Sequence, residues 1–113
     1  MSKKVAYIAP GYPDSTESDN YQKVAEFFQN NSFEVEFIDP DWSTDMEENL
    51  SQVSEKLKKA SDRHGNHKMY LFGHSLGALC LFAASTDYAP EAQIMASMTP
   101  DFEEDLDARS DRS

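Results

Sequence analysis

The chain has 113 residues, the length of one domain. It carries 10 Lys and Arg against 21 Asp and Glu, a formal charge of −11. That balance argues against nucleic acid and anionic membrane surfaces as partners, because both are held by clustered bases.

The single cysteine, Cys80, excludes an internal disulfide and fits a reducing compartment. Aromatic residues reach 12%, which separates the chain from disordered sequences. No apolar run is long enough for a membrane span. The apolar run after Lys3-Lys4 breaks at Pro10-Gly11, unlike a signal peptide. A cytoplasmic location is expected.

Val5-Ala6-Tyr7-Ile8-Ala9 reads as a buried first strand. Asp19 and Gln22 have the spacing of a capping box. Behind them Tyr21, Val24, Ala25 and Phe28 recur at i, i+3, i+4, i+7, the pattern of a helix with one apolar face. Asn30-Asn31 ends that helix. Phe33, Val35, Phe37 and Ile38 give a second strand, stopped by Asp39-Pro40.

Thr44 and Glu47 form a second capping-box pattern. Met46, Leu50, Val53, Leu57 and Ala60 then mark a long amphipathic helix. Its acids lie near the start and Lys56, Lys58 and Lys59 near the end, as the helix dipole favours. Gly65 breaks the chain. Met69-Tyr70-Leu71-Phe72 is a third strand, residues 73–77 a turn, and residues 79–84 a buried apolar helix. Ile94, Met95, Ala96 and Met98 give a fourth strand that ends at Thr99-Pro100. Residues 1–106 are read as one domain and 107–113 as an acidic flexible tail.

Strands alternating with helices imply an α/β fold, a parallel sheet with helices on both faces. Functional groups of such sheets gather at the carboxyl ends of the strands. Those ends are the Pro10-Gly11-Tyr12, Asp39-Pro40-Asp41-Trp42, Gly73-His74-Ser75 and Thr99-Pro100-Asp101 segments.

Gly73-His74-Ser75-Leu76-Gly77 fits G-x-S-x-G between an apolar strand and an apolar helix, the setting of a nucleophile elbow. A serine at the tip of so tight a turn needs small residues two before and two after it. It also sits at a helix N-terminus, where the dipole and free N–H groups favour a developing anion. The N–H of Leu76 is one candidate oxyanion donor, and the second would come from Gly11 or Tyr12.

With these features the sequence resembles the α/β-hydrolase superfamily, specifically its small esterase and thioesterase-like members. The resemblance covers Val5 to Tyr12, Leu71 to Leu79 and Ile94 to Leu106. It implies a three-layer α/β/α sandwich with four parallel strands in the order 2-1-3-4. It also implies Ser75 as nucleophile, with the N–H groups of Leu76 and Tyr12 as the oxyanion hole.

In that superfamily the triad runs Ser, then Asp or Glu, then His. The three histidines here, His64, His67 and His74, all precede Ser75. Asp101 follows the fourth strand and is the candidate acid. The triad is thus incomplete in this chain, which resembles only the N-terminal part of the fold. His64 and His67 are expected at the amino end of the sheet, and the His74 side chain is expected to point away from Ser75.

Two functions follow. One is a serine hydrolase acting on a small-molecule carboxylic ester or thioester through an acyl-enzyme on Ser75. The other is a catalytically inactive hydrolase-like domain that binds a partner or small molecule, or self-associates. An exposed fourth strand would favour a homodimer through that sheet edge.

His64-x-x-His67 reads as a solvated loop rather than a metal pair. Asp39, Asp41 and Asp45 resemble a calcium loop, but Thr44 and Leu50 stand where glycine and glutamate are required. No metal site and no cofactor are expected, and the G-x-G-x-x-G and G-x-x-x-x-G-K phosphate motifs are absent. Cys80 reads as a core residue, and Trp42 as a hydrophobic anchor near the site.

Overall fold

A computed structural model describes residues 3–96. Met98, the Thr99-Pro100 strand end, the candidate acid Asp101, the domain boundary at 106 and the acidic tail lie outside the described residues.

The elements run β1 (Lys4–Ala9), α1 (Asp19–Asn30), β2 (Glu34–Phe37), α2 (Met46–His64), β3 (Lys68–His74), α3 (Ser75–Ala84) and β4 (Ala92–Ala96). The four strands form one parallel sheet in the order β2-β1-β3-β4, as the resemblance implies. Central strands of such sheets are covered on both faces and read as unbroken apolar runs. Accordingly, Val5 through Ala9 have no exposed surface.

Alternation along β1 divides the core into two. Val5, Tyr7 and Ala9 face α2 and α3 and meet Val53, Leu57, Cys80 and Leu81. Ala6 and Ile8 face α1 and meet Tyr21, Val24, Ala25 and Phe28. This is a three-layer α/β/α sandwich. Cys80 is buried in the first core, and burial raises its thiol pKa. Phe28 packs edge-on against Phe33 and Phe72, joining α1 to the sheet.

The starts of α1 and α2 differ from the expected ones by a residue, and α3 begins at Ser75, four residues before the expected start at 79. Ser18, not Asp19, is the N-cap of α1, and the Gln22 amide donates to Thr16 O instead of closing a capping box. Asp45, not Thr44, caps α2, its carboxylate accepting the Glu47 N–H at 2.9 Å. Met46 therefore lies in the first turn and is exposed, while Val53, Leu57 and Ala60 are buried.

The expected turn over 73–77 does not exist. β3 runs to His74 and α3 begins at Ser75, with no residue between them. Nor is α3 wholly buried, since Leu79 is 55% exposed.

His64 and His67 correct the solvated-loop reading. His64 is the last residue of α2, only 10% exposed in its side chain, and pairs with Glu36 at 2.6 Å. Glu36 also holds Arg63 at 2.8 Å. His67 Nδ1 lies 2.8 Å from Gly65 O and Nε2 lies 2.8 Å from the Tyr7 hydroxyl. A carbonyl can only accept, so Nδ1 carries a proton, and with the neutral imidazole the Tyr7 hydroxyl donates to Nε2.

Burial pushes the Tyr7 phenol up to about 12 from its ordinary 10.0. A raised folded-state pKa means that the neutral phenol stabilises the fold below pH 10 and that this contribution is lost as pH rises toward 12. The loss amounts to about 2–3 kcal/mol, from 1.36 kcal/mol per unit. Urea unfolding of the wild type should weaken by at least that amount across this interval, since Tyr21 is shifted in the same direction, and Tyr7→Phe should reduce the slope. An equal slope in Tyr7→Phe would show that other groups govern alkaline unfolding.

Candidate active site

β1 and β3 are adjacent and in register, with Ala9 opposite Gly73. The loop after β1 therefore emerges beside the junction of β3 and α3. Ser75 is the first residue of α3, exposed, with φ +51°. A non-glycine residue in that left-handed region is strained by about 1–2 kcal/mol. The strain turns the chain from strand into helix without a loop and leaves the hydroxyl at the surface. The first N–H groups of any helix have no partner within it, and here they belong to the turn that Ser75 and Leu76 open.

Two glycines permit this geometry. A Cβ on Gly77 would lie 1.9 Å from Pro10 O, and one on Gly73 would lie 2.5 Å from Ala78 Cα. Both obstacles are backbone, so neither can move aside as a side chain would. The small residues expected around the serine are thus needed for two separate approaches, helix to loop and strand to helix.

The loop after β1 is held from several sides. The Gly11 N–H donates to the buried Tyr21 hydroxyl at 2.9 Å, and burial raises the Tyr21 phenol pKa. The Asp14 N–H donates to Gly11 O at 2.7 Å. Asp39, at the carboxyl end of β2, accepts the Thr16 N–H at 2.8 Å and also the Thr16 hydroxyl. The Trp42 indole N–H donates to Asp14 O at 3.0 Å, and its ring meets Tyr12 edge-on at 5.7 Å. Trp42 is thus the expected anchor, and its hold is on this loop.

Among the oxyanion candidates, the Gly11 N–H is committed to Tyr21, while Tyr12 N–H donates to no described residue. His74 turns over Gly11. A Cβ on Gly11 would lie 2.1 Å from His74 Nδ1. That nitrogen is buried without a partner among the described residues. Burial lowers the imidazole pKa, with Asp14 opposing. Gly11, Tyr12, Pro13, Asp14 and His74 line an open cleft of about 350 Å³.

His64 and His67 are at the opposite end of the sheet. The six steps from Lys68 to His74 in β3 span about 20 Å at ~3.3 Å each. Both rings are engaged there, by Glu36 and by Tyr7 and Gly65. Among the described residues, no three His, Cys, Asp or Glu side chains gather as a metal site, and no helix is long and apolar enough to cross a membrane.

The sequence did not expose the roles of Tyr21, Thr16 and Asp39. Tyr21 is one of four apolar-face residues of α1, and only its hydroxyl distinguished it. Asp39 bonds to a residue 23 positions away, which no local pattern encodes.

No family model matches the sequence, and no curated protein matches it. Among solved structures, the fold is similar to the crystal structure of MGS-MChE2, an alpha/beta hydrolase enzyme from the metagenome of sediments from the lagoon of Mar Chica, Morocco. The TM-score is 0.59 at 19% identity, covering 97% of this chain and 52% of that one. This chain therefore spans about half the length of that neighbour. At this identity the likeness is one of fold, and it agrees with the strand order and the three layers: the chain has an α/β-hydrolase-like fold.

Proposed function

We propose that this chain carries the nucleophile and oxyanion elements of a serine hydrolase acting on carboxylic esters or thioesters. The observation that carries the reading is Ser75, an exposed serine held at φ +51° on a direct strand-to-helix junction, with Gly77 pressed against Pro10 O. Ser75 Oγ attacks the acyl carbon, and the oxyanion is met by the N–H groups of Leu76 and Tyr12. The bond from the acyl carbon to the leaving oxygen or sulfur breaks, the Ser75 hydroxyl proton ends on the departing alcohol or thiol, and the acyl group stays on Ser75 as an ester. The Gly11 N–H takes no part, because Tyr21 holds it.

The base is none of the three histidines. His64 and His67 are at the far end of the sheet, and His74 lies over Gly11. Asp101 remains the proposed acid partner of a histidine from outside this sequence. Without that base, acylation is slow and deacylation slower.

The test is p-nitrophenyl acetate. We expect release of about one p-nitrophenol per chain, then a near-stop, because the acyl-enzyme accumulates. Ser75→Ala should abolish the burst.

The placement of the histidines favours one second reading, a non-catalytic domain that self-associates. β4 pairs only with β3 among the described strands. Ile94 and Ala96 face the α1 core, so Met95, 41% exposed, faces the α3 side with Gln93, which reaches Ser85. A folded chain that gives no burst and sediments as a dimer follows this second reading. A burst retained by Ser75→Ala contradicts the first.

A further inference from the structure

The cleft beside the elbow has an unusual chemistry. It is lined by Gly11, Tyr12, Pro13, Asp14 and His74, with no Lys or Arg. Asp14 takes part in no ion pair among the described residues. One of its oxygens accepts the Ser15 N–H at 2.9 Å, and the side chain is exposed.

Tyr12 is 53% exposed yet fixed, edge-on to Trp42, which is itself tied to Asp14 O. An aromatic residue and an acidic residue outside every ion pair among the described residues thus line one cleft, on a loop already braced by Tyr21 and Asp39. Burial disfavours the charged form of the His74 imidazole, with Asp14 opposing. The chain as a whole carries a net charge of −11, which favours a cationic over an anionic ligand.

We propose that this cleft binds an organic cation, a quaternary ammonium group, between the Tyr12 ring and the Asp14 carboxylate. Such a cation has no N–H to satisfy, so it needs only an aromatic surface and a counter-charge, and the cleft supplies both. A small ammonium group also fits within about 350 Å³. On the serine hydrolase reading, the cleft adjoins Ser75 through His74, so the cation would be one end of the ester substrate. Binding itself does not depend on Ser75 reacting.

The probe is tetramethylammonium chloride, followed by saturation-transfer NMR on its methyl groups at ionic strength matched with sodium chloride. Trp42 fluorescence provides a local report, because it is the single tryptophan. Saturable binding is expected in wild type and equally in Ser75→Ala. Asp14→Asn keeps the backbone carbonyl that holds Trp42, and should weaken binding about threefold. Tyr12→Leu should weaken it about two- to fivefold, and Tyr12→Phe should leave it unchanged, because the ring and not the hydroxyl is used.

Circular dichroism would confirm that each variant is folded. Absence of saturation transfer to the wild type would overturn the proposal. So would equal binding of neutral tert-butanol, or Asp14→Asn binding as tightly as wild type. Binding without any ester burst would refute the hydrolase reading and leave the cation site standing.

Discussion

Gly77→Ala should cost at least about 3 kcal/mol, the upper part of the range for overpacking. The added Cβ would lie 1.9 Å from Pro10 O and 2.8 Å from Pro10 C. Overpacking in a core is usually relieved by rotamer changes, but here both sides are backbone. Either α3 moves away from the sheet or the loop after β1 moves, and that loop is tied by Tyr21, Asp39 and Trp42. Native domains hold only about 5–15 kcal/mol in total. A loss of ~3 kcal/mol lowers Tm by about 12–24 °C in a domain near this size.

Gly65→Ala is the contrast. Nothing lies within 4 Å of its added Cβ, and only its backbone, φ +66° with ψ −136°, is unfavourable, so the cost should be about 1–3 kcal/mol with no steric part. Thermal unfolding of the two variants checks the ordering. Equal Tm values would mean that the approach of α3 to Pro10 is not a tight constraint.

The parts of the fold legible in the sequence were those set by periodicity. Val5 to Ala9 read as a doubly buried strand and is one, because a central parallel strand requires apolar residues on both faces. The apolar stripes of α1 and α2 were equally clear in Tyr21, Val24, Phe28, Val53 and Leu57. The strand order came with the resemblance, and the structure has it.

Helix starts were misplaced because good capping residues stand side by side, Ser18 beside Asp19 and Thr44 beside Asp45. The choice is made by the backbone, which spacing does not encode. The G-x-S-x-G pattern located the elbow, yet it was read as a turn. Here the strand passes directly into the helix, and the residue that takes a positive φ at the junction is Ser75. His64 looked solvated because its partner Glu36 lies 28 positions away. The bracing of the loop after β1 was hidden for the same reason.

Ser75 is central to the account, and its expected chemical behaviour is specific. A serine without a base is a poor nucleophile. Even so, in serine hydrolases that lose a triad member, oxyanion donors and binding alone leave about 10³–10⁴-fold catalysis over water. Ser75 retains the left-handed backbone, the helix N-terminus and the candidate donors. It should therefore react slowly but selectively with a serine-directed phosphonylating reagent. His64→Ala and His67→Ala should not alter the rate, since those rings bond to Glu36 and Tyr7 at the other end of the sheet.

The most direct test is intact mass after incubation with a fluorophosphonate, with wild type compared with Ser75→Ala. The wild type should carry a single adduct, slow to form and located on Ser75, and the variant none. A folded wild-type chain that stays unmodified, or a variant labelled equally well, would contradict this.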